Sequence, residues 1–234
     1  GPAQSLLPLQ RDAQTGVWSA AVARDLSGDY YTYLVDVNVD GVGVVRNRVT
    51  DPYAVSLTTD SRRAYIADLD APQLKPPGWE QPAAAARAQV PTDAVIYELH
   101  VRDFSSSDAT VRPGYRGKYL AFTQDGSDGM RQLRALAAAG ITEVHLLPAF
   151  DFGSVPERGC VTPSPAGPPD GESQQQAVMA TRKQDCFNWG YDPVHFTAPE
   201  GSYATDPADG ATRIIEFRRM VQALHRAGLR VGMD

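Results

Sequence analysis

From Tyr31 the chain alternates apolar and polar positions, with Tyr31, Tyr33, Val35, Val37 and Val39 at every second place and Thr32, Asp36 and Asn38 between them. Period two predicts a half-buried strand. Asp40-Gly41 marks a tight turn, and Val42 to Val49 returns as the second arm of a hairpin. Gly16 to Ala20 reads as a further short strand. These are three or four strands of a small β-sandwich, too few to close one. Residues 71 to 93 carry Pro72, Pro76, Pro77, Pro82, Pro91 and the run Ala83 to Ala86, which is the composition of a linker.

Beyond the linker the rhythm changes. Ala94 to Val101 is a nearly continuous apolar run, followed by a helical stretch from Met130 to Ala139 that stops at Gly140. Ile141 to Leu147 reads as a second buried strand. Thr212 to Ala227 places Ile214, Phe217, Val221 and Leu224 on one helical face, and Gly228 ends it before a third strand from Leu229 to Met233. Strand, helix, strand, helix, strand predicts parallel βα units, in a doubly wound sheet or in a (β/α)8 barrel. The first strand-to-helix turn has no glycine-rich phosphate loop, which counts against a nucleotide-binding sheet. The stretch from Pro148 to about Ala211 shows no regular element and is longer than connections in α/β units usually run. Within it, Pro163 to Gln176 is expected to be a solvated excursion.

The chain of 234 residues is 42% hydrophobic and 21% charged, enough to bury one sizeable core or two modest ones. A net charge of −6 without basic runs excludes a nucleic-acid or anionic-membrane footprint. No apolar stretch approaches the ~20 residues of a membrane span. Cys160 and Cys186 both fall in the irregular region, where pairing between them is left open. His100, His145, His195 and His225 are isolated, no two at zinc-ligand spacing, so no metal ligation is expected.

The densest chemistry lies at Phe187 to Pro193, FNWGYDP, which gathers three aromatic rings, an amide and a carboxylate around one glycine. Aromatic faces stack on the apolar faces of a pyranose, while Asn and Asp hold its hydroxyls. Glu98 and Asp103 flank the end of the first strand of the α/β part, and His100 and His145 stand on its strands. Asp151 reads as a loop-ordering carboxylate rather than a catalyst. Arg213, Glu216, Arg218 and Arg219 are expected to form the solvated face of the last helix.

From about Trp18 to Asp234 the chain resembles the pullulanases and limit dextrinases, starch-debranching members of the alpha-amylase superfamily of glycoside hydrolases. Five blocks in order carry the resemblance: IYELHVRDFS at Ile96 to Ser105, VHLLPAFDF at Val144 to Phe152, FNWGYDP, PEGSYATDP at Pro199 to Pro207, and RIIEFRRMVQALHRAGLRVGMD at Arg213 to Asp234. PPDGESQQQ at Pro168 to Gln176 resembles especially the limit dextrinase branch found in plants and green algae, and after it the longer bacterial pullulanases.

The resemblance implies a fold class of α/β plus all-β. Residues 1–70 would be a partial starch-binding-type β-sandwich, 71–93 a linker, and 94–234 the first three strands of an incomplete (β/α)8 barrel with a long insertion at about 149–211. Tyr191 matches the ring that stacks on glucose at the cleavage subsite, and Asp192 the carboxylate beside it. Asn188 and Trp189 match the wall of that subsite, with Trp189 equally readable as core. Phe187 stands where the family usually has Tyr. The implied activity is retaining hydrolysis of α-1,6 branch points in an α-glucan such as starch, pullulan or limit dextrin, without organic cofactor. Calcium in the full-length enzyme is left open. The family's nucleophile, acid and supporting carboxylate follow later strands, so no catalytic residue is expected in this chain, and none of it is expected to contact nucleic acid or membrane. A non-catalytic glucan-binding polypeptide, or a fragment of an isoamylase-like or branching enzyme, are the alternatives. The compartment would be a plastid for a plant or algal source and the exterior for a bacterial one.

Overall fold

A computed structural model describes residues 5–81, 90–168 and 170–234. Pro82 and Ala83 to Ala86 of the expected linker, and Pro169 of the expected excursion, lie outside the described residues. Among the described residues no helix is long and apolar enough to cross a membrane.

The α/β part is built on three parallel strands, β7 (Ile96–Leu99), β8 (Glu143–Leu146) and β11 (Arg230–Met233), ordered β11-β8-β7. Helix α1 (Asp128–Ala138) starts where the Ser127 hydroxyl accepts from the Met130 amide at 3.2 Å. Helix α3 (Gly210–Arg226) starts where Asp209 caps the amides of Ala211 and Thr212. Each side chain thereby satisfies donors that the first turn leaves unpaired. Both helices end as expected, at Gly140 and Gly228 with φ of +108° and +89°.

Register divides the sheet into two faces. Tyr97, Leu99, Val144, Leu146 and Val231 share one, and Leu99, Val144 and Leu146 are buried there with Met130 and Leu133 of α1 and Met220, Ala223 and Leu224 of α3. Glu98, Glu143, His145 and Arg230 share the other. There Glu143 pairs with His145 at 2.7 Å and with Arg230 at 2.8 Å. Both helices therefore cover the same face, whereas a doubly wound sheet carries helices on both. Among the described residues the sheet is open and no barrel closes.

The stretch expected to lack regular structure contains three elements. Strand β9 (Phe150–Phe152) pairs antiparallel with β10 (Pro193–Pro199), and α2 (Ser173–Thr181) lies between them. The sequence hides the pair because its register shifts twice, between Pro193 and His195 and again before Pro199, which breaks period two. Helix α2 is mostly exposed, in keeping with a solvated excursion. Cys160 and Cys186 form a disulfide across this segment.

The N-terminal region forms pairs rather than one sheet: β1 (Gln10–Arg11) with β2 (Trp18–Ser19), β3 (Tyr30–Tyr31) with β6 (Ala64–Tyr65), and β4 (Tyr33–Val39) with β5 (Gly43–Val49). The alternating run from Tyr31 is thus divided between two strands. The expected hairpin forms, with Val42 donating to the Val39 carbonyl across the turn. Its apolar face is exposed rather than half-buried, with Val35, Val37, Val39 and Val49 each 40–43% exposed.

What docks this region is the segment from Tyr30 to Tyr65. Ala54, Leu57 and Ala64 form a small core with Ala198 of β10. The Ser56 hydroxyl donates to the Gly210 carbonyl at 2.8 Å, and the Gly210 amide donates to the Tyr30 hydroxyl at 3.1 Å. Gly210 admits no side chain, because a Cβ there would stand 2.4 Å from the Tyr65 ring. Further along, Arg218 donates to the carbonyls of Leu69 and Leu74, and its guanidinium lies over Trp79.

The last helix corrects the expectation of a solvated charged face. Arg213 is 0% exposed and Glu216 is buried. Arg213 donates to Glu157 at 2.5 Å, to Asp151 at 3.4 Å and to the Pro207 carbonyl at 3.0 Å. Asp151 in turn accepts from His195 at 2.8 Å and from the Ser61 hydroxyl, and Glu157 accepts from the Asp60 amide at 2.6 Å. The same carboxylates that neutralise Arg213 therefore hold the N-terminal region. Removing one member of a buried ion pair typically costs about 3–5 kcal/mol. R213M is expected to lower the stability of the chain by about 3 kcal/mol or more, read by urea unfolding; a midpoint equal to that of the parent would show that the network carries no stability.

Candidate functional site

The segment Phe187 to Asp192 lies across the C-terminal ends of all three parallel strands. Just beyond β7, His100 Nε2 meets the Asn188 carbonyl at 2.6 Å. Just beyond β8, the Pro148 carbonyl would be 2.7 Å from a Cβ at position 190, so only glycine fits there, and its φ of +88° also favours glycine. Just beyond β11, the Asp234 carboxylate accepts from the Tyr191 hydroxyl.

The polar residues of the segment order it from within. Asn188 accepts from the Gly190 amide at 2.8 Å through Oδ1 and donates to Asp192 at 3.0 Å through Nδ2, an Asx turn closed at both ends. Asp192 also accepts from the Ser154 hydroxyl. A carbonyl only accepts, so the hydrogen of His100 sits on Nε2, and Nδ1 accepts from the Asp103 amide at 3.3 Å. Phe187 stacks on the His100 ring at 5.4 Å and meets Trp189 edge-on at 5.8 Å.

The outcome is an anchored aromatic rim. Trp189 and Tyr191 are 59% and 60% exposed, so Trp189, which read equally as core, faces solvent. The Asp234 carboxylate beside it pushes the Tyr191 hydroxyl above the ordinary phenol range and keeps it a donor. The structure thus brings together the four residues singled out by sequence: Asn188, Trp189, Tyr191 and Asp192. It adds His100, which the sequence had placed on a strand of the α/β part, and Pro148, Ser154 and Asp234, which no local signal marked, Ser154 and Asp234 meeting the segment from 38 and 43 residues away. His145, by contrast, pairs with Glu143 on the polar sheet face. Asp151 orders its surroundings, as its residue context suggested.

Behind the rim sits the buried acidic group of Asp151, Glu157 and Glu200, whose oxygens lie within 4.8 Å of one another. Its cationic partner is the Arg213 guanidinium. Glu200 accepts from the amides of Ser202 at 2.6 Å and Phe152 at 3.0 Å and so fixes β9 against the loop after β10. Burial pushes the Glu200 carboxyl up to about 7; it raises the Glu157 carboxyl as well, against the pull of the Arg213 guanidinium.

No protein-family model matches the chain. It is 43% identical over 227 residues to Pullulanase 1, chloroplastic, of Arabidopsis thaliana, covering 94% of this chain and 23% of that protein. It is 38% identical over 270 residues to a pullulanase of Klebsiella pneumoniae, covering 97% of this chain and 25% of the relative. The backbone follows the crystal structure of Klebsiella pneumoniae pullulanase complexed with maltotriose, with a TM-score of 0.86 at 35% identity, over 97% of this chain and 26% of that one. The chain matches a fragment of a pullulanase. It spans about a quarter of the length of the curated relatives it matches. Within this pullulanase-like segment the rim and the buried acidic group lie side by side on the β9–β10 pair and its flanks.

Two measurements check this anatomy. His100→Phe keeps the ring stack and removes the donor to Asn188, a bond worth about 1 kcal/mol net. Hydrogen exchange of residues 187–192 is expected to speed up about fivefold, with peptides of β8 unchanged; unchanged exchange in both would remove His100 as an anchor. The second concerns pH. Unfolded glutamates titrate near ~4.3, below the folded values, so folding takes up protons between these limits. In respect of Glu200, stability is therefore full below about pH 4.3 and is lost as pH rises through about 7. The melting temperature should decline from pH 5 to pH 8.5, and E200Q should flatten that slope by about one proton; an unchanged slope in E200Q would show that Glu200 is ionised throughout.

Proposed function

We propose that the chain is the substrate-holding part of a starch-debranching glycoside hydrolase that cleaves α-1,6-glucosidic branch points. The observation that carries this reading is the exposed pair Trp189 and Tyr191, anchored over the C-terminal ends of three parallel strands. In (β/α)8 enzymes the active site gathers at that face. A run of strands in chain order with both helices on one side supports the first three strands of such a barrel, and the N-terminal pairs support a partial starch-binding-type sandwich. Tyr191 would offer its ring to a glucose unit, and Asp192, oriented by Asn188 and Ser154, would accept from sugar hydroxyls.

The chemistry would be retaining hydrolysis through a carboxylate nucleophile and a separate acid, with no organic cofactor. Those carboxylates are assigned to the parts of the relatives that this chain does not span. On its own the chain holds an α-glucan without cutting it. The relatives' mixture of a chloroplastic plant protein and bacterial ones fits a plastid or an exported parent.

Titration with maltotriose, followed by Trp fluorescence, is expected to saturate, and Tyr191→Ala to weaken binding about tenfold through loss of one stacking face. Incubation with pullulan is expected to release no new reducing ends. Unsaturable titration overturns the binding role, and substrate-dependent release overturns the placement of catalysis outside the chain.

A further inference from the structure

A second concave site opens on the strand that leaves the aromatic rim. Where β5, the turn at Asp60 and Ser61, and β10 meet, a crevice of about 650 Å³ is lined on its polar side by Arg48, Arg62, Arg63, Thr50, Ser61 and His195. Val49, Pro52 and Val194 supply the apolar remainder.

The lining has two properties that together select a ligand. It holds three guanidinium groups and no carboxylate, in a chain whose net charge is −6. It also holds no Phe, Tyr or Trp, so it lacks the stacking face that a neutral pyranose requires. The acids close by are already engaged: Asp60 pairs with Arg62 at 3.2 Å, Asp51 accepts from the hydroxyls of Tyr31 at 2.5 Å and Tyr33 at 3.4 Å, and Asp151 accepts from Ser61, His195 and Arg213. The guanidiniums of Arg48 and Arg62 carry five donors each, so the bond from Arg48 Nε to Thr32 at 3.3 Å and the pair of Arg62 with Asp60 leave donors for an oxyanion.

The crevice is also held in shape. Its floor, His195, is buried and fixed by Asp151 at 2.8 Å and by Thr50 at 3.0 Å. One wall is the turn at Asp60 and Ser61, two successive non-glycine residues with φ of 54° and 52°. Such backbone persists where its surroundings over-determine it. Here Asp60 and Glu157 exchange backbone-to-carboxylate bonds at 2.6 and 3.2 Å, and Ser61 donates to Asp151, which sets Arg62 and Arg63 along the wall. Planar guanidiniums held at a rigid wall match the geometry of a phosphoryl group, which they bind by paired, charge-assisted hydrogen bonds.

We propose that this crevice binds a phosphate monoester, carried by a glucan chain or by a free sugar. The site uses none of the rim residues and stands independently of the debranching reading.

The test is calorimetric titration of the full chain at low salt with inorganic phosphate, glucose 6-phosphate, phosphorylated maltodextrin and unphosphorylated maltotriose. The phosphorylated probes are expected to saturate and to weaken with added salt. Arg48→Gln, on the exposed hairpin, should weaken them about tenfold, the loss of a charge-assisted bond, with an unaltered melting curve, while Tyr191→Ala leaves phosphate binding unchanged. Phosphorylated maltodextrin binding more tightly than glucose 6-phosphate assigns the site to a glucan ester, and equal binding assigns it to a free sugar phosphate. No saturation by any phosphorylated probe, or saturation that both Arg48→Gln and Arg62→Gln leave intact, overturns the proposal.

Discussion

Arg213 stands in the first turn of α3 with no exposed surface, and a guanidinium cannot shed its charge when it is buried. Negative charge and acceptors must therefore be brought to it, and they come from distant parts of the chain: Asp151 on β9, Glu157 in the segment after it, and the Pro207 carbonyl before α3. Part of the spare acceptor capacity of those two carboxylates is then taken up by Asp60, Ser61 and His195, while Glu157 Oε1 has no hydrogen-bond partner among the described residues. One desolvated cation thus fixes the last helix, the β9–β10 pair and the N-terminal region relative to one another. A buried charge network is weak as a source of net stability but strict about geometry, because any displacement leaves a charge unpaired.

That strictness reaches the rim. Strand β10 begins at Pro193, directly after Asp192, and its His195 is held by Asp151. The segment Phe187 to Asp192 is thereby fixed at its C-terminal side by the buried network and at its N-terminal side by the disulfide at Cys186. Between these ends the three strand termini hold it through His100, Pro148 and Asp234. Trp189 and Tyr191 can stay exposed because the polar atoms around them are satisfied internally, so the rings carry little ordering cost when a ligand arrives. His195 is also the floor of the arginine crevice, so β10 connects two surfaces of different chemistry.

Much of the framework was legible locally. Helix periodicity and the glycine stops placed α1 and α3 to within about two residues, since amphipathic spacing and C-capping are properties of adjacent residues. The hairpin at Asp40-Gly41 and the aromatic character of Phe187 to Pro193 were legible for the same reason. The β9–β10 pair was not, because two register shifts erase its alternation. Nor was the burial of Arg213 and Glu216: on a helical wheel they read as solvent-facing charges, and nothing in their neighbours announces carboxylates arriving from 56 residues away.

By itself, then, the sequence determined the three parallel strands, the two amphipathic helices and the hairpin, which segment holds the sugar-type side chains, and which family the blocks resemble, all of which follow from short-range spacing and residue chemistry. Tertiary structure decided which face of the sheet the helices cover, that Trp189 faces solvent, and that three arginines line one crevice. It also decided that the charges of α3 turn inward. These depend on which distant groups meet, and the free energy of a charge or a ring is set by what surrounds it once the chain has closed.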